Sequence, residues 1–215
     1  MNHQYLPADL DPGRITSCIG LISDTHLPDR LDALPPAIFD TLAGVDLLLH
    51  AGDVGKLSVL DQLSVIAPIV AVHGNDETAE AQAALPYQQV IAVNNTRILL
   101  CHSHRPDRAA ELAARVGDDW SPKLASIAER ARNAGASIAV SGHFHIPFVC
   151  LYDDIWLINP GALASGSPTT RQLRQTVALL YLRDDGTPFV VHVDVTHDPQ
   201  AYDAWVDWDA GFAAA

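Results

Sequence analysis

Residues 18–53 read CIGLISDTHLPDRLDALPPAIFDTLAGVDLLLHAGD. Two short strand-like apolar runs, CIGLIS and VDLLLH, bracket a segment with Pro35-Pro36 at a helix start and Gly44 at its end. Continuous apolar runs of this length suit strands covered on both faces, and a helix between two of them predicts a parallel βαβ unit. The pattern continues. KLSVLDQLSV (56–65) is helical in period, PIVAVHG (68–74) is a third strand, and ETAEAQAAL (77–85) is an alanine-rich helix. Strand, helix, strand, helix, strand is the mark of a mainly parallel α/β sheet.

Beyond residue 87 the rhythm changes. QQVIAVN and TRILLCH are separated by Asn94-Asn95, a hairpin signal. SPKLASIAERARNAG (121–135) carries serine-proline at its front and Gly135 behind, which marks a helix. After SIAVSG come FVCLYDD, IWLINPG, QTVALLYLRDDG and PFVVHVDV, short strands with Asp/Gly turns and no helix between them. This half is expected to pair mostly antiparallel and to form a second sheet packed on the first. With no repeat or low-complexity linker, the 215 residues are expected to form one domain: an irregular arm at 1–14, a core over about 16–195, and an acidic tail at 196–215.

Composition narrows the function. The hydrophobic fraction of 48% and charged fraction of 18% suit a packed core rather than a disordered chain. No apolar run approaches the ~20 residues of a membrane span. The first residues, MNHQYLPADLDPGR, lack a basic stretch followed by an apolar one, so no secretory signal is expected. Cys18, Cys101 and Cys150 sit inside apolar runs without CxxC spacing, as reduced core residues of a cytoplasmic protein would. The net charge of −13, with no basic cluster, argues against duplex nucleic acid as a partner, because phosphate contacts supply most of that affinity. Trp205 and Trp208 in the tail are expected to pack on the core, with self-association through the tail as the alternative.

The chemistry lies where the apolar runs end. The first ends in Asp24-Thr25-His26, the second in His50-Ala51-Gly52-Asp53, and the third in His73-Gly74-Asn75-Asp76. TRILLC leads to His102 and His104, and SIAVS leads to Gly142-His143-Phe144-His145. Strands of a parallel sheet deliver their C-terminal ends to one rim, where ligands bind. One Asp-x-His is commonly a turn with a surface histidine, and Gly-Asp or Gly-Asn is a common turn pair. Five such exits in succession are a different matter, since His3, His192 and His197 follow no such rule. Imidazole, carboxylate and amide donors together suit Mn, Fe, Zn, Co or Ni better than Mg or Ca. Seven candidate ligands, Asp24, His26, Asp53, Asn75, His102, His143 and His145, exceed one tetrahedral shell but suit two ions sharing a carboxylate. His50 and His73 are expected to orient ligands or pack beneath the site.

In order and spacing, Asp24-Thr25-His26, Gly52-Asp53, Gly74-Asn75, His102 and Gly142-His143-Phe144-His145 resemble the calcineurin-like metallophosphoesterase superfamily over about residues 18–161. The short chain without a cap looks like the small microbial phosphodiesterase branch, to which a retromer subunit is related. That resemblance implies a four-layer α/β/β/α sandwich of two mixed β-sheets with a dinuclear metal site at one rim. It implies Asp24, His26 and His145 on one ion, Asn75, His102 and His143 on the other, and Asp53 bridging. Asn159-Pro160-Gly161 resembles a late loop of the small branch. Four positions depart from the family pattern. Asp76 stands where many members have a histidine serving acid catalysis, Phe144 where threonine is usual, Ser103 where glycine is frequent, and Ala162 where serine is usual.

The expected reaction is hydrolysis of a small phosphate ester, most readily a diester, by metal-bound hydroxide, with two divalent transition-metal ions (manganese foremost) as cofactors. A metal lowers the pKa of bound water from 15.7 to about 7, or roughly 12 kcal/mol towards hydroxide. A histidine general base contributes about 3–5 kcal/mol, so the metals dominate. Two divalent ions against Asp24, Asp53 and one hydroxide leave the site positive, which draws in phosphate despite the acidic chain. Asp53, Asn75 and His104 are the residues expected at the reacting phosphate, with water or His104 protonating the leaving oxygen. Arg105 and Arg108 are placed in solvent rather than on the phosphate. The alternatives are a protein-binding scaffold that keeps the fold, or a monoesterase or nuclease of the same superfamily.

Overall fold

The computed structural model describes residues 2, 4–107, 109–111, 120–164 and 174–202. The opening stretch forms β1 (Ile15–Ile22), α1 (Ala37–Thr41) and β2 (Leu47–His50), followed by α2 (Ser58–Leu63), β3 (Ile69–Ala71) and α3 (Ala79–Ala84). β1 pairs parallel with β2, and β2 with β3, as the βαβ reading requires. The hairpin at Asn94-Asn95 joins β4 (Gln88–Val93) to β5 (Thr96–Cys101), with Asn94 at φ 52°. Then come α4 (Ser121–Asn133), β6 (Ile138–Ser141), β7 (Phe148–Tyr152) and β8 (Ile155–Asn159). β5, β6 and β8 run parallel, in a second sheet of order β4-β5-β6-β8-β7.

Strand alternation builds the layers. Along β1, Cys18 and Ile22 face an outer cluster with Ile38 of α1, Leu42 just after it, and Val59 and Leu63 of α2, while Ile19 and Leu21 face the second sheet. Along β5, Ile98 and Leu100 face the first sheet, while Leu99 and Cys101 meet α4. In α4, Leu124, Ile127, Ala128 and Ala131 recur at helical spacing and all point into this outer cluster. Three apolar clusters between helices, sheet, sheet and helix are the expected α/β/β/α sandwich. Cys18, Cys101 and Cys150 are buried, with no disulfide among the described residues.

The later strands differ from their expected placement. β9 (Thr176–Arg183), β10 (Pro188–Asp194) and β11 (Gln200–Tyr202) return to the first sheet, whose order is β11-β10-β9-β1-β2-β3. β9 explains why. Val177, Leu179 and Tyr181 face the outer helices while Ala178, Leu180 and Leu182 face the second sheet. A strand apolar on both faces needs a central place, and β9 takes it beside β1. Its hairpin with β10 carried no signal of which sheet it would join. Among the described residues, no helix is long and apolar enough to cross a membrane. Trp205 and Trp208 lie outside the described residues.

Candidate metal centre

The two sheets bring their parallel strand ends to one rim, and the loops there are laced together. Asp24 N–H donates to Gly52 O and His26 N–H to Asp53 O, both at 2.9 Å. His143 N–H, from the second sheet, donates to the Asp24 carboxylate at 3.0 and 3.2 Å. The backbone is strained here. Asp24, His26, Asp53, His143 and His145 all have φ between 46° and 75°, a region that disfavours side-chain-bearing residues by about 1–2 kcal/mol each. Five such residues at one rim turn their side chains away from the strand direction and towards each other, at an energy the surrounding bonds must offset.

Those side chains meet. Asp24, His26 and His145 form one group of donor atoms lying within 4.8 Å of one another, and Asp24, Asp53 and His102 form a second. His145 Nε2 is 3.1 Å from Asp24 Oδ1 and 3.3 Å from His26 Nε2. Asp53 Oδ2 lies 3.2 Å from His102 Nε2 and 3.5 Å from His26 Nε2, so it touches both groups. Asn75 sits between Gly74, which packs on Asp53, and Asp76, whose N–H donates to Asp53 Oδ1 at 2.8 Å. Asn75 Oδ1 is buried without a hydrogen-bond partner. The His143 ring stands edge-on to His102 with centroids 5.1 Å apart.

Surrounding groups hold these side chains from behind. His102 Nδ1 donates to Ala51 O at 2.7 Å. The Ser23 hydroxyl lies 2.5 Å from Asp24 Oδ2 and 2.8 Å from Gly161 O, and Asn159 Nδ2 donates to Gly142 O at 2.8 Å. The Asn159-Pro160-Gly161 loop thus supports the rim from β8. His50 bonds Thr25 Oγ1 at 2.7 Å, and His73 Nδ1 bonds Gly74 O at 2.9 Å, which puts both behind the cluster. Asp76 lies 3.3 Å from His26 Nδ1 and 3.1 Å from Arg30, half-exposed at the mouth. His104 is buried, its ring edge-on to Tyr87 at 4.9 Å, and Tyr87 donates its hydroxyl to His104 O. The Arg105 side chain is exposed, and Arg108 lies outside the described residues.

Two carboxylates escaped the sequence reading. Glu111 Oε1 is 2.6 Å from His143 Nε2. Glu77 accepts from Val54 N, Gly74 N and Gly55 N at 2.8–3.0 Å, tying the β2 and β3 exits together. Burial raises the Glu77 pKa even against these three bonds. Glu77→Ala would leave three N–H groups unpaired, and the metal-free protein is expected to lose about 2–4 kcal/mol in denaturant unfolding. A loss below about 0.5 kcal/mol would show that water replaces the carboxylate without penalty.

Electrostatics shows what the cluster lacks. With Nδ1 donating to Ala51 O, a neutral His102 turns the Nε2 lone pair towards Asp53 and Asp24, whose oxygens lie 3.2 and 3.9 Å away. Nε2 makes no aligned hydrogen bond to either. Electron pairs facing one another in a buried site require a positive charge between them. Without a metal the proton supplies it: burial opposes the charge, but Asp53 and Asp24 push His102 up to about 9. Burial likewise acts to raise Asp24, yet His145 and His102 hold it at about 2, and Asp53 is lower still. A divalent cation answers the same need, so the residues present fit one. Because His102 must lose its proton to become a ligand, metal affinity is expected to rise with pH below about 9, near tenfold per unit. Calorimetry of Mn²⁺ binding near pH 7 in buffers of different ionisation enthalpy is expected to show proton release; none would mean His102 is not displaced.

At the strand ends of two mixed sheets, the carboxylate–imidazole cluster offers donor groups that could hold a metal ion. The Calcineurin-like phosphoesterase superfamily domain matches residues 18–185, so the chain belongs to that superfamily and is a hydrolase of phosphoric ester bonds. A protein of Methanocaldococcus jannaschii named "Probable metallophosphoesterase" is 36% identical over 147 residues, covering 68% of each chain. One of Methanothermobacter thermautotrophicus with the same description is 33% identical over 168 residues, 78% of this chain and 86% of that one. Among solved structures, Vacuolar Protein Sorting 29 of Cryptosporidium parvum matches with a TM-score of 0.71 at 20% identity, covering 87% of this chain and 96% of that one.

Proposed function

We propose that the chain is a dinuclear phosphodiesterase. Asp24, His26 and His145 hold one ion, Asn75, His102 and His143 hold the other, and Asp53 bridges them. The observation that carries this reading is the Asp53 carboxylate, placed within 3.5 Å of imidazole nitrogens from both groups. The unpartnered Asn75 Oδ1 beside it supports the second group. When bound, such ions acidify a water and neutralise phosphoryl oxygens, and Mn²⁺ suits the mixed donors.

The protein's own groups do the rest. Asp53 is held through Oδ1 by the Asp76 N–H, leaving Oδ2 for the ions. Burial, then His102, His143 and His73, depress His104 to about 3, so it is neutral near pH 7. It therefore serves as an N–H hydrogen-bond donor to the phosphate rather than as a cationic acid. The leaving oxygen then takes its proton from water, which favours leaving groups of low basicity. The preference for diesters rests on the likeness to the small capless branch.

The test is hydrolysis of bis(4-nitrophenyl) phosphate against 4-nitrophenyl phosphate with added Mn²⁺. Faster turnover of the diester is expected. Preference for the monoester would replace the diesterase with a monoesterase, and no turnover of either would remove the enzymatic reading. A second reading, a protein-binding scaffold, has the likeness to Vacuolar Protein Sorting 29 behind it, but at 20% identity that likeness speaks for the fold alone. All seven donor positions are intact here, which a scaffold would not need. Cytoplasmic location remains the expectation from the reduced cysteines.

A further inference from the structure

Glu111 has no place in the ligand set, yet it is 5% exposed and its carboxylate is fully engaged at the rim. Oε1 lies 2.6 Å from His143 Nε2, and Oε2 accepts the Arg105 N–H at 2.9 Å. Its own N–H donates to Asp107 O at 2.9 Å, so a turn after the β5 exit carries it back to the site. An ionised carboxylate only accepts. His143 Nε2 must then carry the proton, which leaves Nδ1 as the nitrogen with a free electron pair. The rest of His143 is also pinned, by its N–H on Asp24 and its ring beside His102.

We propose that Glu111 is a positioning residue that holds His143 as the Nε2–H tautomer, so that Nδ1 is its metal donor. This rests on the dinuclear reading. It also ties Arg105 to the centre, because the same carboxylate accepts the Arg105 N–H. Carboxylates behind metal-bound imidazoles fix ring orientation and raise ligand basicity, and losing one typically weakens metal binding by about 10–100-fold. The effect is specific to one ion: His143 belongs to the Asn75 and His102 group, whereas the Asp24, His26 and His145 group does not contain it.

The experiment compares wild type, Glu111→Gln and Glu111→Leu. Mn²⁺ is titrated by calorimetry and electron paramagnetic resonance, and His143 is read in metal-free protein by long-range ¹H–¹⁵N imidazole spectra. Wild type is expected to bind two ions and to show the Nε2–H tautomer. Glu111→Leu is expected to weaken one ion by about 10–100-fold, leave the other within about twofold, and mix the tautomers. Glu111→Gln, whose amide oxygen still accepts from Nε2–H, is expected to keep the tautomer and fall between. If both variants bind two ions as wild type does, or lose both equally, Glu111 is only a structural anchor and the proposal is overturned. If wild type itself binds fewer than two ions, the dinuclear reading fails instead. The imidazole spectra then decide for Glu111: an Nδ1–H tautomer in wild type overturns its role, and an Nε2–H tautomer lost in Glu111→Leu upholds it.

Discussion

Asp53→Asn is expected to lower kcat/KM for the aryl phosphodiester by at least about 10³-fold, or roughly 4 kcal/mol of transition-state stabilisation. The substitution preserves shape, since an amide oxygen can still accept the Asp76 N–H in place of Oδ1. It removes a negative charge that approaches both groups of donors, at 3.2 Å from His102 and 3.5 Å from His26. His102 would also lose the first of the two charges that sustain its proton. Metal-free folding is therefore expected to persist while metal content falls. Circular dichroism, metal analysis and turnover on one preparation check this. A folded variant that keeps both ions and wild-type turnover would show that Asp53 does not bridge.

Gly74→Ala carries the second large effect, and the reason is steric. A Cβ at residue 74 would lie 1.9 Å from Asp53 Oδ1 and 2.5 Å from Asp53 N. The second of these is backbone, fixed by the β2 exit, so the neighbour cannot swing aside. Either Asp53 is displaced or the β3 loop moves away with Asn75. Overpacking of this kind is expected to destabilise by about 1–3 kcal/mol. A displacement of about 1 Å at the reacting centre is enough for 10²-fold in rate. Thermal unfolding and turnover measured together separate the two. Wild-type activity with unchanged stability would mean that the loop has room the structure does not show.

Much of this was legible in the sequence because each candidate ligand follows an apolar run. Burial on both faces forces the runs at 18–22, 47–50, 69–71, 96–101 and 138–141 into parallel strands, and parallel strands share a rim. The positions of Asp24, Asp53 and His102 follow from that. The return of β9–β11 to the first sheet was not legible, because a hairpin specifies its partner strand but not its sheet. Glu77 and Glu111 were hidden for a different reason. Neither stands directly at the end of an apolar run, and an isolated glutamate of that kind reads as a solvated side chain. Only the fold shows that one ties together three loop N–H groups and the other a histidine 32 residues away. Asp76 is legible as a departure from the family pattern, but its contact with Arg30 and His26 follows only from the fold.

The central claim is that carboxylates, imidazoles and one amide from five strand ends enclose a pair of cations. Anomalous diffraction from Mn²⁺-loaded crystals at the manganese edge tests it most directly. The account predicts two peaks on either side of the Asp53 carboxylate, one among Asp24, His26 and His145 and one among Asn75, His102 and His143. A single peak, or manganese bound only at surface carboxylates away from Asp53, would contradict it.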